Sequence, residues 1–443
     1  MFAALGVIIV AIAAMSIGAP AQQVALAFGD GFWSLIPFTL QMSMLVVVGY
    51  VVSVSKPMQK LIDWLARLPK SGTGGIVLVA TISLLVSLIN WAMRTVLTAL
   101  LVIALAKRKE LHMDYRAAVA AAIVVMGATW ALGLSSSAAQ LQANQKSIPE
   151  SFYHLSGVIP FTETIFLPQS MLMAGILIVL SIAIAYWSAP KGQSVKTVDD
   201  FGINLITEEK KLETEHKRPG DWLENSPILT VLVVILGIVW MLNEFTKSNP
   251  LIAISSLNTY NFIFLMLGLA LHGTSRNFLQ AVNKAVPAVA GILIQFPLYG
   301  SIAFIMTKAV NGADLSLSHY IAEFFVSIAS AETFSVVMGI YSAILGFFIP
   351  SGGGKWIIEA PYVLQAANNL KVHLGWSVQV YNVAEALPNL INPFFMLPML
   401  GILKLKPKDV MGFTVTQLVF HIPVVLLMLW LLGTTLTYQP PAL

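Results

Sequence analysis

Apolar segments long enough to cross a lipid bilayer recur from one end of this chain to the other. A helix of roughly 20 apolar residues spans the ~30 Å hydrocarbon core of a membrane. Only 10% of the 443 residues are charged, whereas soluble proteins carry about 25%, so most of the chain must avoid water. The sequence therefore predicts an all-α, polytopic membrane protein. We expect single transmembrane spans at residues 1–19, 32–53, 117–134, 166–187, 228–243, 260–271, 285–307, 376–402 and 411–432.

Two longer apolar stretches, residues 75–106 and 334–367, are predicted to form re-entrant hairpins instead of single spans. As one helix, the first stretch would be about 48 Å long at about 1.5 Å per residue, which exceeds the membrane thickness. Each stretch has a polar interruption near its middle, at residues 87–95 and 350–355. Because polar backbone at membrane depth is tolerated only where protein or a wet cavity surrounds it, we expect two half-helices that meet at a buried polar tip.

The distribution of positive charge supports the hairpins and sets the predicted topology. If both hairpins return to the side on which they start, 19 cations fall in loops on one side and only Lys146, Lys247, Lys308 and Lys371 on the other. The positive-inside rule assigns the richer side to the cytoplasm. The expected protein crosses a bacterial inner membrane several times, with its N-terminus in the cytoplasm and its C-terminus outside. Residues 189–225 are then a cytoplasmic linker, expected to be solvated and to hold a short charged helix.

The linker divides the chain into two halves with the same order of parts. Each half, residues 32–188 and residues 285–433, has a span, a short amphipathic piece, a hairpin, a span interrupted by polar residues and a final span. The first half starts outside and the second inside, so the halves are predicted to be inverted repeats. Transporters of this plan form their sites from broken helices near the middle of the bilayer. Residues 1–19 are an additional helix, and residues 226–272 connect the halves.

Arg94 and Lys355 are the two cations that the loops do not contain, and each lies at or near a hairpin tip. A charged side chain at the centre of a bilayer costs about 2.5–3.5 kcal/mol even on the more lenient insertion scale. We expect both to bind the carboxylate of an anionic substrate, helped by the positive N-terminal ends of the half-helices. In the alternative interpretation, Lys355 pairs internally with Glu359 or Glu385, or each cation reaches the membrane interface.

The residues beside these two cations complete the predicted substrate site. Glycines at the second tip allow the backbone to approach a ligand closely and leave amides free to face it, although a simple tight turn would also use them. The predicted substrate-binding residues are Asn90, Arg94, Thr95, Ser351, Gly352, Gly353, Gly354 and Lys355.

Polar residues in the interrupted spans, at residues 127–137 and 385–393, are candidates for coupling transport to an ion. Uncharged oxygen donors at helix breaks suit Na⁺, which is a hard cation, and interhelical hydrogen bonding explains them equally well. Glu385 could instead carry a coupling proton or balance Lys355. The predicted ion-coupling residues are Ser135, Ser136, Ser137, Glu385, Asn389 and Asn392.

The sequence does not support other chemistry. The chain has no cysteine, which excludes thiol catalysis and iron–sulfur clusters. It also lacks the nucleophile–base pair or metal-ligand cluster that an enzyme would need. The cations lie in short loops, so nucleic acid is not an expected partner. We expect an organic anion and the lipid bilayer as partners, and no cofactor beyond Na⁺ or H⁺ as the coupling ion.

Five stretches of the chain resemble one family of transporters. They are similar to the short-chain fatty acid transporters, the bacterial acetoacetate and butyrate permeases. The most specific of them is Ile-Pro-Ser-Gly-Gly-Gly-Lys-Trp at the second hairpin tip. The resemblance implies uptake of small monocarboxylates and membership of a superfamily of ion-coupled transporters with inverted repeats, hairpin-tip substrate sites, a homodimeric scaffold and elevator-like alternating access. The matching stretches are residues 29–35, 40–42, 89–91, 291–297 and 349–356.

The leading functional prediction is a secondary active transporter that couples the symport of a short-chain carboxylate, such as butyrate or acetoacetate, to H⁺ or Na⁺. An anion channel or uniporter, in which the two buried cations set the selectivity, is the main alternative. A carrier of another organic anion, such as a dicarboxylate, is a second alternative. Accumulation driven by an ion gradient distinguishes a secondary carrier from a channel.

Overall fold

The chain is a helical membrane protein. The structure, a computed structural model, describes residues 2–145, 147–203, 224–247, 250–349 and 351–441. Over these ranges it has no β-strand, and the one β contact is an isolated bridge between Val310 and Ser316. Among the described residues, seven helical segments are long and apolar enough to cross a membrane, or eight if one bent helix pair is taken as a single span. The predicted all-α, polytopic fold class is confirmed.

In the described part of the chain, ten α-helices precede the predicted linker. They are α1 (Phe2–Ser16), α2 (Ala21–Ser34), α3 (Ile36–Ser53), α4 (Lys56–Arg67), α5 (Gly72–Ile89), α6 (Trp91–Ala106), α7 (Tyr115–Ile123), α8 (Ser137–Gln142), α9 (Glu150–Ser156) and α10 (Pro168–Trp187). The second apolar segment begins at Ala21, earlier than the predicted residue 32, because α2 and α3 continue each other with one interruption at Leu35. Polar residues in α2 lower its hydropathy and conceal its start.

Eleven α-helices follow the linker within residues 224–247, 250–349 and 351–441. They are α11 (Pro227–Lys247), α12 (Pro250–Ser255), α13 (Leu257–His272), α14 (Ser275–Ala285), α15 (Ala290–Lys308), α16 (Leu317–Ile328), α17 (Phe334–Phe348), α18 (Gly352–Leu370), α19 (Leu374–Ala386), α20 (Pro393–Leu403) and α21 (Pro407–Gly433). Helix α11 exposes most of its apolar side chains, which suits contact with lipid. Helices α3 and α15 meet through Phe38 and Phe296, whose stacked ring centroids lie 5.9 Å apart.

Hairpin 1, residues 72–106, consists of α5 and α6 with a single extended residue, Asn90, between them. The Asn90 side-chain oxygen accepts a hydrogen bond from the backbone N–H of Met93 at 2.8 Å and so caps α6. Both arms contact one carbonyl, because Ser83 Oγ and Arg94 Nη1 donate to Ala122 O at 2.9 and 3.0 Å. Since donors from α5 and from α6 bond to the same carbonyl, the two arms lie side by side, as expected for a hairpin.

Hairpin 2, residues 334–370, consists of α17 and α18. Ser351 caps α18 by accepting a hydrogen bond from the backbone N–H of Gly354 at 3.2 Å. The two arms pack together further from the tip, where the hydroxyls of Tyr341 and Tyr362 lie 3.0 Å apart. Pro350, part of the predicted tip, lies outside the described residues. Both hairpins have the predicted shape, and their depth in the bilayer stays a prediction.

Each half also has an interrupted helix. Break 1, residues 124–136, separates α7 from α8 and includes two short 3₁₀ turns. Break 2, residues 387–392, separates α19 from α20 and begins with a 3₁₀ turn, and the helical segments Leu374–Leu390 and Phe395–Leu403 meet at a bend of 45°. Pro388 stands at the start of break 2, where its missing N–H cannot continue the helix. The order of parts is therefore the same in both halves, while their opposite orientation in the membrane stays a prediction.

Residues 191–203, the first part of the predicted linker, are mostly exposed, but they are anchored to the helical body beside α7. The backbone N–H of Lys196 donates to Asp114 Oδ2 at 2.9 Å, and the backbone N–H of Tyr115 donates to Lys196 O at 2.8 Å. Val198 is buried in the core that α7 shares with hairpin 1. Asp114 also caps α7, and its remaining lone pairs hold the linker there. The predicted charged helix falls on residues 204–223, which lie outside the described residues.

Candidate functional site

Both hairpin tips pack against break 1. From hairpin 1, Ser87 Oγ lies 2.8 Å from Thr129 Oγ1. From hairpin 2, Gly352 lies directly against the ring of Trp130, and Gly353 packs on the side chain of Ser137. The two hairpin tips and break 1, which are far apart in the sequence, therefore enclose one buried region.

Break 2 joins the same region from the second half of the chain. Asn389 Nδ2 donates to Met126 O at 3.4 Å, and Leu390 packs on Gly127. We call this region, formed by the two hairpin tips and the two breaks, the central site.

Arg94 is the most unusual group of the central site. Its side chain is only 2% exposed, and its donors reach a carbonyl, Ala122 O at 3.0 Å, and a thioether, Met126 Sδ at 2.7 Å. Its Nε has no hydrogen-bond partner, and no carboxylate forms an ion pair with it among the described residues. A guanidinium stays charged and has five donors, so this buried cation still requires an anion.

Lys355 differs from Arg94 because it is already paired. Its ammonium lies 2.6 Å from Glu359 Oε1, 3.0 Å from Ser342 O and 4.4 Å from the ring centre of Tyr381. The other carboxylate oxygen of Glu359 accepts a hydrogen bond from the Ser342 hydroxyl. Internal pairing with Glu359, left open by the sequence, is therefore the arrangement in this conformation. A substrate carboxylate would have to compete with Glu359 for the ammonium.

Glu385 is buried without a bonded partner. Its side chain is 0% exposed, and neither carboxylate oxygen accepts a hydrogen bond within the part of the chain that the structure describes. Lys355 and Glu359 act on it electrostatically from α18, and Asn389 lies beside it one turn further along. A buried carboxylate without partners is costly as an anion. The Glu385 carboxylate is therefore expected to bind a proton or a cation, because either would neutralise its charge.

The two hairpin tips use the same capping device. Asn90 caps α6 and Ser351 caps α18, so each second arm begins with its N-terminus at the central site. The Asn90 amide nitrogen has no partner among the described residues. Thr95 instead bonds to Trp91 O within its own helix at 3.1 Å, and nothing in that contact connects it with the tip.

The glycines of hairpin 2 permit close packing. A Cβ on Gly352 would collide with Trp130, and a Cβ on Gly354 would collide with the ring of Tyr299. The Tyr381 hydroxyl donates to the carbonyl of Gly352. The Gly354 N–H already donates to Ser351 Oγ and is not free to bind a ligand. The main effect of these glycines is therefore to let the tip pack against aromatic rings.

The predicted ion-coupling residues are spread over both breaks. In break 1, Ser135 Oγ has no partner among the described atoms, and Ser136 accepts from the Ala139 N–H at 3.1 Å to cap α8. Ser137, the first residue of α8, packs on hairpin 2. In break 2, the Asn389 side-chain oxygen has no partner in the described structure, while Asn392 Nδ2 donates to Phe347 O at 3.1 Å. Of the predicted ion-coupling residues, Glu385 and Asn389 therefore lie close together, whereas the serines lie beside hairpin 2.

Four residues of the central site were not predicted from the sequence, namely Met126, Trp130, Tyr299 and Tyr381. Tyr381 lies one turn before Glu385, and Trp130 lies between the glycines of break 1, so sequence spacing offered a signal for both. Met126 and Tyr299 carried no such signal, because ordinary packing residues look the same in a sequence.

Comparison with known proteins identifies the family. The pattern of the family described as "Short chain fatty acid transporter" matches residues 1–432. The chain belongs to the short-chain fatty acid transporter family. It is 33% identical over 396 residues to a protein of Escherichia coli, which covers 89% of this chain and 86% of that one. It is 31% identical over 411 residues to a protein of Haemophilus influenzae, covering 91% and 89%. The names of both relatives place them among the short-chain fatty acid transporters.

The fold of this family member is also that of solved transporters. The YdaH transporter of Alcanivorax borkumensis superposes with a TM-score of 0.61 at 14% identity, covering 99% of this chain and 98% of YdaH. MtrF of Neisseria gonorrhoeae, whose structure is described as illuminating a class of antimetabolite efflux pumps, gives 0.54 at 12% identity, covering 99% and 96%. At these identities the likeness concerns the fold alone. The predicted resemblance is confirmed, and the chain is a membrane transporter and not an enzyme.

Proposed function

We propose that this protein is a secondary active transporter of short-chain carboxylates, of the butyrate or acetoacetate type, driven by H⁺ or Na⁺. The observation that carries the proposal is Arg94, a buried guanidinium with an unused Nε and no ion-pair partner among the described residues. A carboxylate can accept two parallel hydrogen bonds from one guanidinium. In this proposal, the substrate carboxylate binds Arg94 between hairpin 1 and break 1.

The surroundings of Arg94 favour a small monocarboxylate. Its neighbours on α6, Met93 and Leu97, and Met126 of break 1 are buried and apolar, which suits a short alkyl chain. A dicarboxylate would need a second cation, and Lys355 is occupied by Glu359. One unpaired buried cation therefore supports a substrate with one carboxylate.

The proposed transport cycle moves the hairpins and breaks as a unit, in an elevator-like manner. Both hairpin tips contact break 1, and break 1 contacts break 2, so substrate and coupling ion would travel within one packed body. Helices α3 and α15, joined through Phe38 and Phe296, would belong to the stationary scaffold. The proposal also includes a homodimer in a bacterial inner membrane, with substrate-binding and ion-coupling residues as predicted from the sequence.

Uptake by reconstituted protein tests this function. We expect purified protein in liposomes to accumulate labelled butyrate or acetoacetate under an imposed H⁺ or Na⁺ gradient, and not labelled succinate. Because a charge-assisted hydrogen bond contributes about 1.5–3 kcal/mol, Arg94→Ala should lower uptake by at least about tenfold at low substrate concentration. Arg67→Ala, which removes an exposed arginine at the end of α4, serves as the matched control and should transport normally.

Two results would contradict the proposal. Transport by Arg94→Ala at the rate of the unmodified protein would remove Arg94 from the substrate site. Downhill flux without accumulation under either ion gradient would indicate a channel or uniporter instead of a secondary carrier.

A further inference from the structure

The central site buries two cations and two carboxylates whose charges are not arranged as two ion pairs. Lys355 and Glu359 pair at 2.6 Å, with both side chains fully buried. Arg94 and Glu385 are equally buried, and neither has an ion-pair partner among the described residues. One positive and one negative group are therefore left over in the same buried region.

Met126 of break 1 contacts Arg94 and also Asn389, the neighbour of Glu385. Arg94 donates to the Met126 thioether at 2.7 Å, and Asn389 donates to the Met126 carbonyl at 3.4 Å. Asn389 lies one turn beyond Glu385 in break 2. The two side chains are thus linked only indirectly, through Met126 and Asn389, and no direct bond between them is present among the described residues.

Few charged or titratable groups surround Glu385. Lys355 and Glu359 act on it from α18, and Tyr381 lies one turn earlier on its own helix. Tyr341 of α17 is engaged with Tyr362 of α18. Two carboxylates therefore lie near one ammonium, and of the two only Glu359 forms an ion pair with Lys355 among the described residues.

The other elements packed against α19 add no further charge at this point. Break 1 and α8, residues 124–142, contain no acidic or basic side chain. His421 of α21 is directed elsewhere, with its ring nitrogens 2.9 Å from Ser181 Oγ and 2.7 Å from Gln417 O. The electrostatic state of Glu385 therefore depends on the central site itself.

We propose that Glu385 carries one proton together with each carboxylate anion, so that transport is an electroneutral proton symport. The proposal rests on the proposed carboxylate transport through Arg94. In the loaded state, Arg94 balances the substrate anion, Lys355 balances Glu359, and protonated Glu385 is neutral. In the empty state, deprotonated Glu385 balances Arg94. Both states have no net charge, and the proton passes from water on one side to the carboxylate and then to water on the other.

The two half-loaded states carry a net charge, and this difference couples the proton to the substrate. Substrate without the proton leaves one excess negative charge, and the proton without substrate leaves one excess positive charge. A net charge moved through a low-dielectric interior is strongly disfavoured, so only the neutral states should cross. A sodium ion near Glu385 would face repulsion from Lys355, whereas a proton neutralises the carboxylate without adding a cation.

The decisive experiment separates net transport from exchange in proteoliposomes. The unmodified protein should accumulate labelled acetoacetate when the inside is alkaline, and a valinomycin-imposed potassium potential should change the initial rate by less than about twofold. Protein-free liposomes correct for entry of the undissociated acid. Glu385→Gln should lose at least about tenfold in gradient-driven accumulation and should still exchange internal for external substrate. Glu244→Gln, which removes an exposed carboxylate of α11, is the matched control and should behave as the unmodified protein.

Three results would overturn the proposal. The first is accumulation driven by a sodium gradient at equal pH on both sides. The second is a rate for the unmodified protein that follows the imposed potential, and this measurement does not depend on whether Glu385→Gln folds. The third is full proton-driven accumulation by Glu385→Gln. If the unmodified protein exchanges no carboxylate at all, the proposed function itself fails, whereas exchange without proton coupling refutes only the role of Glu385.

Discussion

The buried pair of Lys355 and Glu359 offers a quantitative test of the central site. Its ammonium and carboxylate are 2.6 Å apart with no exposed surface on either side chain. Removing one partner of such a pair leaves an uncompensated charge and costs about 3–5 kcal/mol, whereas replacing both partners by neutral residues is often close to neutral. We therefore expect Lys355→Met and Glu359→Gln each to destabilise the protein strongly, and the double variant to recover most of the loss.

The expected change in melting temperature follows from the size of the chain. With an unfolding entropy of about 2.1 cal/mol/K per residue, 443 residues correspond to about 1 °C of Tm per kcal/mol. Each single variant should therefore lower Tm by about 3–5 °C. The double variant should melt within about 2 °C of the unmodified protein.

Thermal unfolding in detergent, followed by size-exclusion fluorescence, measures these values. Lys247 and Glu244 form the matched control, because the nitrogen–oxygen distance is similar, 2.7 Å, but the side chains are 59% and 30% exposed. Exposed pairs contribute about 0–1 kcal/mol, so Lys247→Met should shift Tm by no more than about 1 °C. If the losses of the two single variants at the buried site simply add in the double variant, the two side chains are not electrostatically coupled and our reasoning is wrong.

Two further predictions concern the tip of hairpin 2 and the membrane topology. Gly354→Ala places a methyl group against the Tyr299 ring. Because overpacking of this kind costs about 1–3 kcal/mol, we expect a Tm about 1–3 °C lower and slower uptake. Normal uptake by this variant would contradict the packing role of Gly354. The chain has no cysteine, so single cysteines can be introduced without first replacing native ones. Lys60→Cys, before hairpin 1, and Lys109→Cys, after it, should both react with an impermeant maleimide only from the cytoplasmic side. Labelling of the two variants from opposite sides would refute the re-entrant hairpin.

Much of the architecture could be predicted from the sequence because hydropathy and charge are properties of single segments. The length of residues 75–106 and the cations on both sides of it indicated a hairpin, and the structure contains that hairpin with Asn90 at its tip. Accounting for the loop cations likewise left Arg94 and Lys355, and both are buried at the centre. The short amphipathic piece predicted between the first span and the hairpin of the second half is present as α16 (Leu317–Ile328).

The state of each charge could not be predicted in the same way. Lys355 had Glu359 four residues away on its own helix and Glu385 on another, and the sequence left both as partners. The structure pairs Lys355 with Glu359, because α18 begins at Gly352 and places both side chains on one face opposite Ser342. The contact between the first part of the linker and Asp114 was not predicted for a similar reason. A helix-capping residue does not indicate, in the sequence, which other segment bonds to it.

Composition and charge along the chain were enough to predict a helical membrane protein with two buried cations at two polar interruptions. Hydrophobic length and the cost of burying charge follow from local composition, so they need no knowledge of the neighbours. The three-dimensional packing establishes that, among the described residues, Arg94 has no ion-pair partner, Lys355 has one, and the buried Glu385 carboxylate accepts no hydrogen bond. Those differences depend on which helices meet at the two breaks, and contacts between residues as distant as Met126 and Asn389 are not contained in any single segment.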